Sequence, residues 1–154
     1  MNDAKTTQPT YYNSCYRHGL DEKRRVQIPA KWRPEEEGGE LTLMVWKGHP
    51  AGACLRVLPP EELAKLVAEI NALPKGDPKK AIMKRTLGSE SVQVTLDKAG
   101  RICVPEDMAN AAGLQAEVML VGLFDRFEIW QPGRYAQVKA ADEPFAAKAY
   151  ELME

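Results

Sequence analysis

Leu20-Asp21-Glu22-Lys23-Arg24-Arg25-Val26-Gln27-Ile28-Pro29 and Leu96-Asp97-Lys98-Ala99-Gly100-Arg101-Ile102-Cys103-Val104-Pro105 are two copies of one ten-residue pattern. Leu, Asp, Arg, two β-branched residues and Pro recur at identical offsets, without a gap. An internal repeat of this kind organises a chain before any single residue does. The likeness continues downstream. Leu41-Thr42-Leu43-Met44-Val45 follows the first Pro at nearly the distance at which Val118-Met119-Leu120-Val121 follows the second.

Each copy has a readable local physics. Tyr12 to Leu20 and Ser91 to Leu96 are candidate strands, and Val92, Val94 and Leu96 alternate with polar neighbours at the period of a half-buried strand. Asp21 and Asp97 open turns, because an Asp carboxylate can accept from backbone N–H groups just downstream. Gly100 can take a positive φ at the end of its turn. Arg25 and Arg101 then start short strands. Val26, Ile28, Ile102 and Val104 face inward, which sends Arg25, Gln27, Arg101 and Cys103 to the opposite face. Pro29 and Pro105 end these strands and can begin helices. Glu106 to Ala112 reads as a short helix closed by Gly113. Residues 117–122 and 126–130 read as a hairpin around Leu123-Phe124-Asp125.

Helical material joins the copies. After Pro59-Pro60, the residues Leu63, Leu66, Val67, Ile70 and Leu73 form an apolar stripe at helical spacing, and Pro74 stops it. Gly76-Asp77-Pro78 is a turn, and a second helix is expected over Lys79 to Leu87. A last helix starts near Gly133 and holds Tyr135, Val138, Phe145 and Tyr150, with a break expected at Pro144. Residues 1–10 are expected to fray.

The bulk properties exclude several classes. The 154 residues, 44% hydrophobic and 28% charged, suit one globular domain or two halves sharing a core. No apolar run approaches the roughly 20 residues of a membrane span, and the polar start lacks a signal-peptide core. A cytoplasmic protein with no membrane partner is expected. Cys15, Cys54 and Cys103 are odd in number and widely spaced, and His18 and His49 are far apart, so reduced thiols in or near the core are expected rather than a metal site. No cofactor is implied. There is no phosphate loop, GxSxG or HExxH, so an enzyme is not expected.

Net charge is −1, yet the charge is segregated. Arg17, Lys23, Arg24, Arg25, Lys31 and Arg33 face only Asp21 and Glu22 across the stretch 17–33. Lys75, Lys79, Lys80, Lys84 and Arg85 face only Asp77. The compensating acid lies in Glu35-Glu36-Glu37 and in the C-terminal tail. A cluster alone is more often a solvated face than a binding site.

Strand, Asp-x-x-Gly-Arg, short strand, Pro, short helix and hairpin together resemble the AbrB/SpoVT swapped-hairpin fold. Two such halves joined by a helical hairpin resemble the MraZ family. The second half is the closer match, through Gly88-Ser89-Glu90, Asp97-Lys98-Ala99-Gly100-Arg101 and the run from Glu117 to Trp130. The resemblance spans Tyr16 to Tyr135. It implies a mainly β, α+β chain with two tandem half-domains in a pseudo-twofold, β-barrel-like core, a helical hairpin between them and a C-terminal helix. The corresponding boundaries are 1–11 for a flexible extension, 12–60 and 89–134 for the half-domains, 61–88 for the helical linker and 135–154 for the tail.

The resemblance further implies a nucleoid-associated transcriptional regulator, a repressor of a cell-division and cell-wall gene cluster. It would bind direct repeats in promoter double-stranded DNA as a closed ring of identical subunits, often eight. By position, Lys23, Arg25 and Arg101 are the expected DNA contacts, with Arg24 and Lys98 as phosphate contacts. Asp21, Asp97 and Gly100 shape the turns. Arg24 stands where the family usually has Gly. If that site needs a positive φ, Arg bears about 1–2 kcal/mol of strain, or the turn takes another shape. Residues 48–52 also make a longer connection than the pattern suggests.

Three alternatives stand beside this reading. Arg25 and Arg101 can be structural ion-pair partners of Asp21 and Asp97. The same half-domain occurs in toxin–antitoxin pairs, so the chain can instead be an antitoxin-like or other protein-binding module without specific operator binding. The basic stretch 75–85 either extends a DNA face or pairs with the acidic tail of a neighbouring copy.

Overall fold

The computed structural model describes residues 10–36 and 38–154. The first half runs β1 (Cys15–Gly19), β2 (Arg25–Gln27), a single 3-10 turn (Ala30–Trp32), β3 (Glu40–Trp46) and β4 (Cys54–Leu58). Two helices follow, α1 (Pro60–Asn71) and α2 (Pro78–Ser89). The second half runs β5 (Ser91–Thr95), β6 (Arg101–Cys103), α3 (Glu106–Ala111), β7 (Glu117–Gly122) and β8 (Phe127–Trp130), and α4 (Pro132–Glu151) ends the chain. The architecture is α+β with antiparallel strands throughout.

The repeat is visible in the pairing. Six strands form one sheet in the order β1-β7-β8-β4-β3-β5, and β2 and β6 form a separate two-stranded ribbon. Exchanging the halves turns that order into itself. β1 of the first half pairs with β7 of the second, and β5 of the second pairs with β3 of the first. Each half therefore gives its leading strand to the other, and neither buries its strand edges alone. The expectation of a barrel-like core is corrected here. The sheet ends at β1 and β5, and no pairing joins those two edges among the described residues. The hydrophobic surface is closed instead by laying the ribbon and the short helices across one face.

That face is the main core. Val26, Ile28, Ile102 and Val104 of the ribbon segments have no exposed surface. They pack with Trp32, Leu41, Leu43, Leu55, Val57, Leu120, Phe127 and Ile129. Each such aliphatic side chain contributes about 1.5–3 kcal/mol on burial. Trp32 meets Tyr12, Tyr16 and Phe127 with ring centroids 4.8–5.9 Å apart. Strand β3 is buried on both faces, because its Met44, with Leu58 of β4, joins Ile70 of α1 and Leu87 of α2 in a second cluster. The α1 stripe expected from the sequence faces this cluster through Leu63, Leu66 and Ile70.

Several boundaries differ from the sequence reading. The strand expected over Tyr12–Leu20 is interrupted at Ser14, whose φ is 81°, so Tyr12 meets Phe124 and Leu20 meets Val26 as isolated bridges. Strand β4 had no expectation from the sequence. It lies after the long 47–53 connection, against which β7 and β8 need only 123–126. The break at Pro144 does not occur. α4 continues through it, with the flanking residues exposed, so the carbonyl deprived of a partner faces water. Cys54 is buried, whereas Cys15 and Cys103 are exposed rather than in the core. Cys15 alternates outward on β1, and Cys103 sits on the outer face of the ribbon. Of the extension expected at 1–11, residues 1–9 lie outside the described residues, as does Glu37 of the acidic run.

Candidate nucleic-acid interface

The ribbon brings the two copies of the motif together. Arg25 pairs with Cys103, Val26 with Ile102 and Gln27 with Arg101. Because the side-chain period is two, the buried Val26 and Ile102 leave Arg25, Gln27, Arg101 and Cys103 on the opposite face. Arg25 and Arg101 thus share one outer face, 33% and 32% exposed at the side chain.

Each Asp builds its loop in the same way. Asp21 Oδ1 accepts from the backbone N–H groups of Lys23 (2.9 Å) and Arg25 (2.8 Å), and Oδ2 accepts from Arg25 Nε at 2.8 Å. Asp97 Oδ1 accepts from the N–H groups of Ala99 and Arg101, both at 2.9 Å, and Oδ2 accepts from Arg101 Nε at 3.0 Å. These bonds favour the charged carboxylate. The Arg25 backbone N–H, ahead of the Arg25 side chain, holds Asp21 below the ordinary carboxylate value, and Arg101 does the same for Asp97. Asp21 and Asp97 thus each bridge two backbone N–H groups of their own loop.

Arg25 and Arg101 form ion pairs with these carboxylates. The pairing does not consume the arginines. Only Nε of each engages the Asp, and among the described residues no hydrogen bond is made by the terminal nitrogens of either. An Asp held by two backbone donors fixes the Arg stem and leaves the guanidinium fork facing out. Lys23 and Lys98 are exposed at the loop tips. Arg24 and Gly100 both take the left-handed conformation, at φ 59° and 79°. The first loop thus keeps the expected shape, and Arg24 bears the strain.

Cross-links between the loops were not foreseen. Gln27 Nε2 donates to the Ala99 carbonyl at 2.6 Å, and Cys103 Sγ lies 3.4 Å from the Lys23 carbonyl. Gln27 and Cys103 hold equivalent places in the repeat, and that equivalence was the available signal. Val104 N–H donates to the Arg24 carbonyl at 2.8 Å, and Ile28 N–H donates to the Gly100 carbonyl at 2.9 Å. Each loop is therefore fastened to the end of the other half's strand. Arg33, counted at first only as part of a basic cluster, donates through Nε to the Ile28 carbonyl at 2.9 Å.

The remaining basic residues lie elsewhere. Lys79, Lys80, Lys84 and Arg85 belong to α2, which packs on the far side of the sheet through Leu87. No group of His, Cys, Asp and Glu among the described residues has the proximity of a metal site. No described helix is long and apolar enough to cross a membrane.

Two half-sequences that exchange strands around a shared ribbon, with an Asp-ordered basic loop on each side, define a duplicated, pseudo-twofold α+β protein. Comparison with known proteins gives this class its family. A family model described as "MraZ protein, putative antitoxin-like" matches residues 87–154. The transcriptional regulator MraZ of Roseiflexus sp. (strain RS-1) is 32% identical over 141 residues, which cover 89% of this chain and 95% of that protein. That of Leuconostoc citreum (strain KM20) is 36% identical over 115 residues, covering 75% and 77%. That of Halothermothrix orenii is 33% identical over 131 residues, covering 84% and 88%. The chain belongs to the MraZ family.

Proposed function

We propose that this chain is a sequence-specific DNA-binding transcriptional regulator, a repressor of a cell-division and cell-wall gene cluster, acting at the nucleoid. Its two half-domains, 12–60 and 89–134, exchange strands as swapped hairpins and present Lys23, Arg25, Lys98 and Arg101 to promoter direct repeats. The observation that carries this reading is the placement of Arg25 and Arg101 on one outer face, each oriented by an Asp, with no hydrogen bond to its terminal nitrogens among the described residues. Such a fork can pair with guanine O6 and N7, which is worth about 1–3 kcal/mol of discrimination. Lys23 and Lys98 supply a salt-sensitive phosphate attraction without sequence preference.

A chain with a net charge of −1 holds DNA weakly through one such face. A closed ring of eight copies engaging several repeats raises the affinity through effective concentration rather than through new contacts. The relatives' name, transcriptional regulator, supports the class of function.

The test is a titration against the DNA upstream of the protein's own gene, at two salt concentrations, with a scrambled control. Selective binding that weakens steeply with salt is expected. Arg25→Ala and Arg101→Ala are expected to lose selectivity and to keep the wild-type mass by light scattering. Equal, weak binding to both DNAs would overturn this reading. A second reading, a protein-binding module of the antitoxin kind, is favoured by the exposed Phe145, Tyr150, Leu152 and Met153 near the C-terminus. It would take precedence if both DNAs bound equally and a protein partner protected that segment from protease.

A further inference from the structure

Each of the two strand-end carbonyls, that of Val104 and that of Ile28, receives one guanidinium, but the two arginines arrive from different places. In the first loop Arg24 accepts at its carbonyl from Val104 N–H at 2.8 Å, and its own Nε donates back to the Val104 carbonyl at 3.0 Å. In the second loop Gly100 accepts from Ile28 N–H at 2.9 Å and has no side chain to donate back. There Arg33 Nε takes the matching carbonyl, that of Ile28, at 2.9 Å. Its guanidinium lies over Gly100, where an added Cβ would collide with it.

The repeat makes the exchange explicit. Arg24 matches Gly100, Val104 matches Ile28, and Arg33 matches Ala109. Ala109 is a buried methyl side chain in α3 that cannot reach the Val104 carbonyl. Both long cations therefore come from the first half, one for each strand-end carbonyl, and the second half has Gly100 and Ala109 at the matching places. A glycine at 24 would leave the Val104 carbonyl without the guanidinium. An arginine at 100 would compete with Arg33 for the same space.

We propose that Arg24 and Arg33 are positioning residues that lock the two DNA-binding loops by clamping the carbonyls of Val104 and Ile28, and that Arg24 is not a phosphate contact. This rests on the regulator reading for its consequence at DNA, but the clamp itself is a property of the free protein. The sequence expectation gave Arg24 to phosphate because of its charge. The geometry instead turns its Nε inward, half-buried, while neighbouring Lys23 is exposed. Lysine keeps the charge but lacks a branched Nε–H at that distance, so Arg→Lys separates the two roles.

The experiment compares wild type, Arg24→Lys, Arg24→Gly and Arg33→Lys in two measurements. In the free protein, amide hydrogen exchange is expected to quicken about ten- to hundredfold at Val104 in both Arg24 variants and at Ile28 in Arg33→Lys. With the upstream DNA, affinity is expected to fall by about tenfold or more in Arg24→Lys and Arg33→Lys, while the slope of log K against log salt stays unchanged. A phosphate contact behaves otherwise. Arg24→Lys would then bind nearly as wild type, and Arg24→Gly would flatten the slope by about 0.9. Unchanged exchange at Val104 in both Arg24 variants, or that flattened slope, overturns the proposal. If wild type shows no selective DNA binding, the regulator reading fails, and the exchange rates still decide whether the clamps exist.

Discussion

At Asp21–Arg25 the left-handed residue is Arg24, with φ 59°, and at Asp97–Arg101 it is Gly100, with φ 79°. The hydrogen bonds around the two carboxylates agree to within 0.2 Å. One loop meets the backbone requirement with the residue made for it, and the other meets it under strain of about 1–2 kcal/mol. A hydrogen bond from a charged donor is worth about 1.5–3 kcal/mol, enough to offset that strain. The comparison teaches that the turn is dictated by Asp and the ribbon, not by glycine. The identity of the left-handed residue then follows from which arginine reaches the strand-end carbonyl.

If the ribbon imposes the shape on both loops, damage to the ribbon should loosen both together. Ile102 has no exposed surface and faces Val26 across the ribbon. Ile102→Ala is expected to lower the unfolding free energy by about 2–5 kcal/mol, through lost burial and the cavity left behind. Urea unfolding measures the loss. Amide exchange should quicken at Lys23–Arg25 as well as at Ala99–Arg101. Protection lost in the second loop alone would show that each loop is shaped locally, and the symmetry argument would fail.

A smaller effect separates the two left-handed residues. Gly100→Ala adds about 1–2 kcal/mol of backbone strain and displaces the Arg33 guanidinium. Arg24→Gly relieves similar strain and loses the bond to Val104, so its net cost should lie within about 1 kcal/mol of zero. Thermal unfolding of the two variants should rank Gly100→Ala as the less stable. The reverse ranking would mean that the Arg24 clamp outweighs the strain it carries.

Much of this comparison was legible from the chain. Leu, Asp, Arg, the β-branched pair and Pro recur in register, so the two turns, the two short strands and their inward residues followed from local chemistry. Helix α1 followed from the stripe through Leu63, Leu66 and Ile70. What was not legible depends on contacts between distant segments. Strand β4 carries Arg56 among its apolar residues, and only its pairing to both β3 and β8 makes it a central strand. The open sheet could not be told from a barrel, because periodicity reports which face is buried and not whether the edges meet. Arg33 looked like one more surface cation. Its role depends on Gly100 lying beneath it, a neighbour 67 positions away in the chain.

The smallest expected difference is the sharpest test of the symmetry, and it lies in acid. Both Asp21 and Asp97 are held below their ordinary value of 3.8, chiefly by the backbone N–H of Arg25 and of Arg101. A carboxylate whose value falls on folding stabilises the fold above its unfolded value, and that contribution is lost as pH drops through the lowered one. Both loops should therefore keep their shape at pH 4 and above and loosen only below 3.8. Since the two sets of bonds match in length, the midpoints should coincide, despite Arg24 in one loop and Gly100 in the other. Amide shifts of Lys23, Arg25, Ala99 and Arg101 followed by NMR against pH give the two midpoints separately. Asp21→Asn should abolish the transition in the first loop and leave the second in place. Midpoints about one unit apart would show that the residue at the left-handed position tunes its carboxylate. The equivalence of the two loops would then end at the backbone.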